Sequence, residues 1–541
     1  MSRLVGLDEE MFDALVIGGG IAGAGVARDL AARGVSVALF EKADFAAGTT
    51  SRSSKLIHGG LRYLELFDFG LVRESLRERE TLRRLAPHLI RPLPFLIPIY
   101  RGSNRGLVKV RIGLTLYDLL RPARGAERSR IFSAPEALAL EPEICPDDLK
   151  GAGYYFDDLL LFPERLCLEN VLSAVRHGAR AFNYCQVEEI VRGRIGVDGL
   201  KVRDLLSNQV RTIRARVIIN AAGPWVDRIR ELAGIEERGR RVIRTTKGIH
   251  CLLPRITDRA LYLSTGDERM IFLIPWRQFS LVGTTDTDFE GDPDRLWATK
   301  DEVAYLLTEL RRVLPDSRVA EHNVCYSYAG VRPLTFEAGS DPAKVSRQHR
   351  VFSEGPGGRF LTITGTKLTC FRSLSEQVGD RVLTALGRRK PSRTATLALD
   401  GTDHAAPAIE VRAWMDVSAE MAATGLDRDT LEMLVETYGR PYPRVLHLAR
   451  KLPDGTERLC PSNLEIVAQL HHAVSDELVV SLQDFLLRRT GIGASLCQGL
   501  DCAQAIGERM AELLGWSPRR LDSELGAYQD TIERSRRFRH S

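Results

Sequence analysis

Thr49-Thr50-Ser51-Arg52-Ser53-Ser54-Lys55-Leu56-Ile57-His58-Gly59-Gly60-Leu61-Arg62-Tyr63-Leu64 gathers hydroxyls, cations, a histidine and two glycines in sixteen consecutive positions. Such a run is poor core material and good material for a loop that wraps an anionic ligand. Upstream, Gly18-Gly19-Gly20-Ile21-Ala22-Gly23 comes directly after the apolar run Ala14-Leu15-Val16-Ile17. Gly18 permits a tight turn, Gly20 lets backbone approach a pyrophosphate, and Gly23 lets the next helix pack on its strand. The helix N-terminus then offers unpaired N–H groups to phosphate. Glu41, at the end of a second apolar run, is spaced to accept hydrogen bonds from an adenosine ribose. The pattern predicts a dinucleotide site, and Glu41 alone does not decide FAD against NAD. Later returns to the same fold, such as Asn220-Ala221-Ala222-Gly223-Pro224-Trp225, suit a flavoprotein.

These residues need a frame. Ala14–Ile17, a helix to about Ala32 and Val35–Phe40 read as strand, helix and strand, a βαβ unit. Leu64–Leu85 has helical spacing, and Pro87, Pro92, Pro94 and Pro98 break regularity after it. A second βαβ-like stretch is expected over Ala181–Asn220, with strands at Gln186–Val191 and Ala215–Asn220. Short strands and polar turns are expected over 240–325, and Phe360–Thr364 is predicted to be a strand leading into Gly365-Thr366-Lys367. A break near Leu386-Gly387-Arg388-Arg389-Lys390-Pro391 predicts a linker. Helices are expected at Asp427–Tyr438, Asn463–His472, Ser481–Leu487 and Cys502–Leu514. Arg534, Arg536, Arg537 and Arg539 read as a frayed, solvated tail.

With 541 residues the chain exceeds one core, which stops growing at about 250–300 residues. The net charge of +5 gives no reason to expect nucleic acid. Nine scattered cysteines without a CxxC pair read as reduced thiols. The histidines show no ligand spacing, and His471-His472 point apart on a helix, so no metal is expected. Met1–Asp13 does not read as a signal peptide. No apolar run reaches the roughly 20 residues that span a bilayer, so membrane attachment would be peripheral.

The run from Thr49 to Leu64 resembles FAD-dependent glycerol-3-phosphate dehydrogenase, a relative of the D-amino-acid-oxidase group of flavoproteins. The resemblance continues through Gly223-Pro224-Trp225, Thr246-Lys247-Gly248-Ile249-His250, Gly283-Thr284-Thr285-Asp286, Gly330-Val331-Arg332-Pro333-Leu334, Lys367-Leu368-Thr369 and Asp484-Phe485-Leu486-Leu487-Arg488-Arg489-Thr490, covering about residues 12–515. It departs at Thr366, where relatives commonly carry glycine.

The resemblance implies an α/β fold. A Rossmann-like FAD domain (12–75, 151–235 and 326–390) would carry a β-sheet substrate-cap and membrane-facing domain (76–150 and 236–325) and a helical C-terminal domain (395–541). It implies oxidation of sn-glycerol 3-phosphate to dihydroxyacetone phosphate, with hydride passing from C2 to FAD and electrons to a quinone. Removing hydride from an alcohol also needs a base at the hydroxyl. His58 is the first candidate and His250 the second. Arg332 would hold the substrate and stabilise the developing alkoxide. Arg62 and Lys367 would bind the phosphate, helped by Tyr63 and Arg372. The flavin nucleotide would meet the residues Gly18, Gly19, Gly20, Ile21, Ala22 and Gly23 of the turn, then Glu41, Thr50, Ser51, Ser54, Lys55, Leu56, His58, Val187, Ala222, Gly223, Gly365, Lys367, Leu368 and Thr369.

The resemblance further implies a peripheral enzyme on the cytoplasmic face of the inner membrane, with a homodimer left open. Leu93–Tyr100 and Leu107–Leu120, flanked by Arg101, Arg105, Arg121 and Arg124, are expected to form a basic apolar strip against anionic lipid. The nearest alternative is glycerol-3-phosphate oxidase, which uses O2 and yields peroxide. The short stretch Thr335–Ser346, with no added insertion, favours the dehydrogenase.

Overall fold

The computed structural model describes residues 3–122, 128–193, 196–235, 241–336, 348–399 and 415–540. Two sheets, of eight and ten strands, frame it. In the first, Met11–Ile17 lies parallel to Val37–Phe40 on one side and Gln209–Asn220 on the other, and Phe360–Thr364 extends the sheet beyond Gln209–Asn220. The apolar run in the first strand is continuous because both of its faces are covered. Ala14 and Val16 join the core beneath helix Ile21–Ala32, while Leu15 and Ile17 join the core on the opposite face. The Gly18–Gly23 turn thus leaves the carboxyl end of a strand buried from Phe12 onward.

The expected second βαβ unit is corrected. Its strands exist, but Cys185–Gly193, Gly196–Asp204 and Gln209–Asn220 form an antiparallel meander without a helix. Gly196 and Asn208, both at positive φ, make its turns.

The second sheet is mostly antiparallel. Leu149–Leu160 pairs along Ile90–Tyr100, and Tyr326–Thr335 pairs along Ile243–Pro254. Leu56–Ile57 also pairs with Leu149–Leu160. The expected domain limits at 75, 151 and 326 therefore shift, since strands assigned to the FAD unit hydrogen-bond within the cap. Within 240–325 the chain also forms a helix, Lys300–Arg311, started by a reciprocal cap between Thr299 and Glu302.

The expected apolar strip divides. Phe95, Leu96, Ile97 and Ile99 are buried within strand Ile90–Tyr100, which removes Leu93–Tyr100 from any lipid-facing surface. Helix Leu107–Leu119 instead turns Val108, Ile112, Leu116 and Leu119 outward while Leu114 and Tyr117 pack inward. Arg124 lies outside the described residues, as does most of Thr335–Ser346.

The helical region begins after the expected linker and contains the four expected helices as Arg428–Tyr438, Val467–Asp476, Leu482–Asp484 (continued by a wide turn over Phe485–Arg489) and Ala503–Leu514. Its attachment to the FAD unit is ionic and buried. Asp44, fully buried, accepts from Arg488 Nε at 2.6 Å and from Arg489 Nη1 at 2.8 Å and Nη2 at 3.0 Å. Burial opposes the Asp44 charge, but the two guanidiniums prevail and bring its pKa down to about 2. The motif Asp484–Thr490 is thus an anchor of the helical region.

The basic tail is not frayed. Helix Pro518–Arg536 carries it to the cap, where Phe538 is fully buried, Arg537 stacks on Trp297 at 4.1 Å and Arg539 donates to the Val324 carbonyl at 2.8 Å. An apolar anchor among specific cation partners removes the freedom that a charge run alone suggests.

Candidate functional site

A cavity of ≈ 980 Å³ runs from Gly18, Gly20 and Glu41 at one end to His58, His250, Arg332 and Lys367 at the other. At the first end the glycines are sterically required. A Cβ on Gly18, whose φ is +105°, would lie 2.6 Å from the Ala221 carbonyl oxygen, and one on Gly23 would lie 1.9 Å from that of Gly18. Glu41 accepts from the Gly19 N–H at 2.7 Å and the Ala43 N–H at 2.9 Å, which fixes its carboxylate beside the turn. Burial raises the Glu41 pKa, and those two N–H groups oppose the rise. Thr50 Oγ1 accepts from the Ile21 N–H at 3.0 Å, tying the hydroxyl-rich loop to the helix start.

Gly18, Gly20, Ile21 and Ala22 line the cavity, together with Glu41, Thr50, Ser51, Ser54, Lys55, Leu56, His58, Val187, Ala222, Gly223, Gly365, Lys367, Leu368 and Thr369. Gly19 and Gly23 stand behind the turn and support it. This cradle of bare backbone, a helix start and a fixed acid fits an FAD adenosine diphosphate. Gly23→Ala should therefore yield protein that purifies without yellow colour and has lost at least about 90% of its FAD, since the new methyl meets backbone that cannot yield. Absorbance of the purified protein checks this, and full FAD occupancy would refute it.

At the second end, Ile243–Pro254 and Tyr326–Thr335 pair so that Thr246 faces Arg332, Gly248 faces Gly330 and His250 faces Tyr328. Alternation puts these three rungs on one face of the sheet. Lys247 points to the other face, where it meets Glu302 at 2.7 Å. The glycine rung is a hollow already in use. A Cβ on Gly248 would lie 2.3 Å from Arg332 Nη2, and one on Gly330 would lie 2.7 Å from Arg52 Cβ. The Arg332 guanidinium lies over Gly248, held by Thr284 Oγ1 at 2.8 Å, Asp286 Oδ1 at 3.1 Å and the Thr285 carbonyl at 3.2 Å.

His250 Nε2 pairs with Ser54 Oγ at 2.8 Å, and its ring stacks on Tyr328 with centroids 4.9 Å apart. Its Nδ1 is buried with no partner among the described residues. Burial, then the charge of Arg332, holds its pKa well below the ordinary histidine value. His58 lines the cavity beside Lys367, and burial together with that ammonium brings its pKa down to about 3. Both imidazoles are neutral at neutral pH. Lys367 Nζ donates to the His58 carbonyl at 2.9 Å and to Ser75 Oγ at 2.8 Å, and sits 5.0 Å from the Tyr63 ring centroid.

Tyr63 lines the cavity, while Arg62 stands outside the lining, where its charge reaches the Tyr262 phenol. The phosphate-binding role expected of Arg372 is corrected. Arg372 is buried away from the cavity, with Glu78 taking its Nε and Nη2 at 2.7 Å and Glu376 its Nη1 at 2.7 Å. Those carboxylates occupy the fork that a phosphate would need.

Two cations on the cavity lining that the expectations from sequence gave no role are Arg52 and Arg534. Arg52 sits inside the hydroxyl-rich run, and Arg534 belongs to the basic stretch expected to be solvated. Burial lowers the Arg52 pKa, and the neighbouring charge of Arg488 adds to the effect. The period of Tyr528 and Ile532, both buried, is the available sign that Arg534 sits on a docked helix.

The two-sheet frame and glycine cradle define a DAO-type FAD-dependent oxidoreductase. The family described as FAD dependent oxidoreductase (DAO) matches residues 13–365, and the C-terminal domain of alpha-glycerophosphate oxidase matches residues 392–521. The chain belongs to the FAD-dependent glycerol-3-phosphate dehydrogenase family. It is 36% identical to glycerol-3-phosphate dehydrogenase of Synechocystis sp., with 97% of each chain covered. It is 35% identical to aerobic glycerol-3-phosphate dehydrogenase of Staphylococcus aureus, covering 98% of this chain and 95% of that one. Among solved structures, glycerol-3-phosphate dehydrogenase from Bacillus halodurans complexed with FAD superposes with a TM-score of 0.81 at 30% identity, over 98% of this chain and 96% of that one.

Proposed function

We propose that this chain oxidises sn-glycerol 3-phosphate at C2 to dihydroxyacetone phosphate and passes the electrons to a quinone at the membrane. The observation that carries the reading is that one end of the cavity gathers two cations with histidines beside them, Lys367 with Tyr63 and His58, and Arg332 with His250. FAD, when bound, supplies the hydride acceptor. Lys367 holds the substrate phosphate as a point charge, with Tyr63 beside it. Arg332 donates to the C2 oxygen and stabilises the charge that develops there. His250 lies beside Arg332 and takes the hydroxyl proton, while His58 lies beside Lys367. This reverses the order expected for the two histidines. The negative phosphate and the developing alkoxide oppose the desolvation that keeps the imidazole neutral, and so favour its protonated form.

Anaerobic mixing of FAD-loaded protein with sn-glycerol 3-phosphate should bleach the flavin absorbance, and free glycerol should not. An unchanged spectrum would refute the activity. Under the same conditions a soluble quinone should restore the colour with one quinone reduced per substrate. Stoichiometric peroxide in air without quinone reduction would assign the oxidase reaction instead.

Attachment to the cytoplasmic face of the membrane is supported by the outward row Val108, Ile112, Leu116 and Leu119, joined by Phe67, which is 79% exposed. Glu65 pairs with Arg105 at 2.8 Å and Lys109 at 3.3 Å, holding the turn before Phe67 against the helix. Among the described residues no helix is long and apolar enough to cross a membrane. Apolar side chains over a basic rim suit anionic headgroups. Each large aliphatic side chain inserted contributes about 1.5–3 kcal/mol, so Val108→Glu with Ile112→Glu should weaken binding to anionic vesicles by at least about 100-fold. Vesicle sedimentation checks this, with unchanged bleaching in solution as the control for folding. Undiminished sedimentation would remove this face from the proposal.

A further inference from the structure

Outside the lining of the cavity, the helical region brings three cysteines and an aspartate together. Cys460 comes from the turn that closes on the bridge between Arg458 and Ile466, while Cys497, Asp501 and Cys502 come from the loop before helix Ala503–Leu514. Cys460 Sγ lies 3.8 Å from Cys497 Sγ and 3.6 Å from Asp501 Oδ1. The Cys460 and Cys502 sulfurs and an Asp501 carboxylate oxygen all fall within 4.8 Å of one another, the one such group among the described residues. Cys460 and Cys502 are buried, and Asp501 is exposed, which leaves an entry path.

We propose that Cys460, Asp501 and Cys502 hold a structural zinc ion, with Cys497 closing in as the fourth ligand when the ion binds. Tetrahedral zinc with Zn–S of about 2.3 Å and Zn–O of about 2.0–2.2 Å requires S···S edges of about 3.8 Å and S···O edges of about 3.6 Å. The two separations measured from Cys460 match these edges, while Cys497 lies outside the group whose donor atoms are mutually within 4.8 Å and must approach it on binding. A disulfide needs its sulfurs about 2.05 Å apart, so the same spacing argues against a bond between Cys460 and Cys497. Three thiolates and a carboxylate are a soft, tetrahedral donor set that selects zinc over magnesium or calcium.

Hydrogen-bond donors face two of the sulfurs. Asn463 Nδ2 donates to Cys460 Sγ at 2.9 Å, and Ser495 Oγ and the Gly499 N–H lie 3.2 Å and 3.3 Å from Cys497 Sγ. Such outer donors orient ligands and offset their charge. Zinc here would clip the Cys460 turn to the loop before Ala503. The clipped loop contains Gln498, which is at positive φ. Its carbonyl accepts from Tyr528 at 2.6 Å, and its side chain holds Ser535 and Arg536. The clip would therefore fix the helix that carries Arg534 to the cavity.

The test uses untagged, full-length, FAD-loaded protein. Elemental analysis should find about one zinc per chain, retained through dialysis and released when a mercurial modifies the thiols. Reduced, metal-stripped protein titrated with Co2+ should develop tetrahedral thiolate–cobalt bands in the red, beyond flavin absorption, saturating at one equivalent. Cys460→Ser and Cys502→Ser should each lose the zinc. Should either variant fail to fold, the cobalt titration of the wild-type chain decides alone. Less than about 0.1 zinc per chain from zinc-supplemented cells together with no cobalt bands would overturn the proposal. Stoichiometric iron in place of zinc, or a Cys460–Cys497 disulfide found by mass spectrometry in protein handled without oxidant, would overturn it as well.

Discussion

Arg332→Ala should slow anaerobic flavin bleaching by sn-glycerol 3-phosphate about 10²–10³-fold, the usual consequence of removing one preorganised donor to a developing oxyanion. The loss should fall on the bleaching rate at saturating substrate, with a smaller change in the half-saturating concentration, because the contact strengthens as charge develops. The way the guanidinium is held favours so large an effect. It rests over Gly248, where no side chain can lie, and Thr284, Asp286 and the Thr285 carbonyl fix its plane. A donor fixed beforehand needs no reorganisation as the C2 oxygen becomes negative. Arg332→Lys keeps the charge but not the planar fork, and should recover only a small part of the rate. A rate for Arg332→Ala within about threefold of the parent would remove this residue from the chemistry.

Asp44→Ala should destabilise the folded chain by about 3–5 kcal/mol, because it leaves two buried guanidiniums without their shared carboxylate. The chain has several units, so the result should appear in calorimetry as a separate, earlier transition for the helical region. Limited proteolysis should then cut first near the linker at 386–391. Arg489→Met tests the other partner: it leaves Asp44 paired to Arg488 alone at 2.6 Å and should cost less. Acid should act in the same direction. Asp44 has its pKa lowered in the fold, so its contribution is complete above the ordinary carboxylate range and is lost as pH falls from about 4 toward about 2. A parent-like melting profile for Asp44→Ala would show that the helical region is held by its apolar contacts instead.

Much of the cofactor end is legible in the sequence because its demands are local. A turn in which a Cβ would strike backbone needs glycine whatever surrounds it, and Gly18 and Gly23 show this at 2.6 Å and 1.9 Å. The Phe360–Thr364 strand and the four helices expected in the C-terminal region are also readable from continuous or periodic apolar positions. The Ala181–Asn220 stretch misleads because its strands carry the same apolar signal whether a helix or a tight turn joins them.

Charged residues are less legible, since a guanidinium's role depends on what folds against it. Arg372 stands close to Lys367-Leu368-Thr369 and shares the lysine's charge, yet Glu78 and Glu376 claim it. Arg534 resembles any basic residue near a chain end, yet helix Pro518–Arg536 delivers it to the cavity. The cysteines show the same division. Cys460 and Cys497, 37 residues apart, have no spacing that announces a pair.

Residue order along the chain was enough to specify the dinucleotide turn, its acid and the class of ligand, because steric and hydrogen-bonding requirements there act over a few neighbouring residues. Strand pairing decided the rest. Only the register of Ile243–Pro254 against Tyr326–Thr335 puts Arg332, a bare glycine rung and His250 on one face. A slip of one residue in either strand would put Arg332 and His250 on opposite faces.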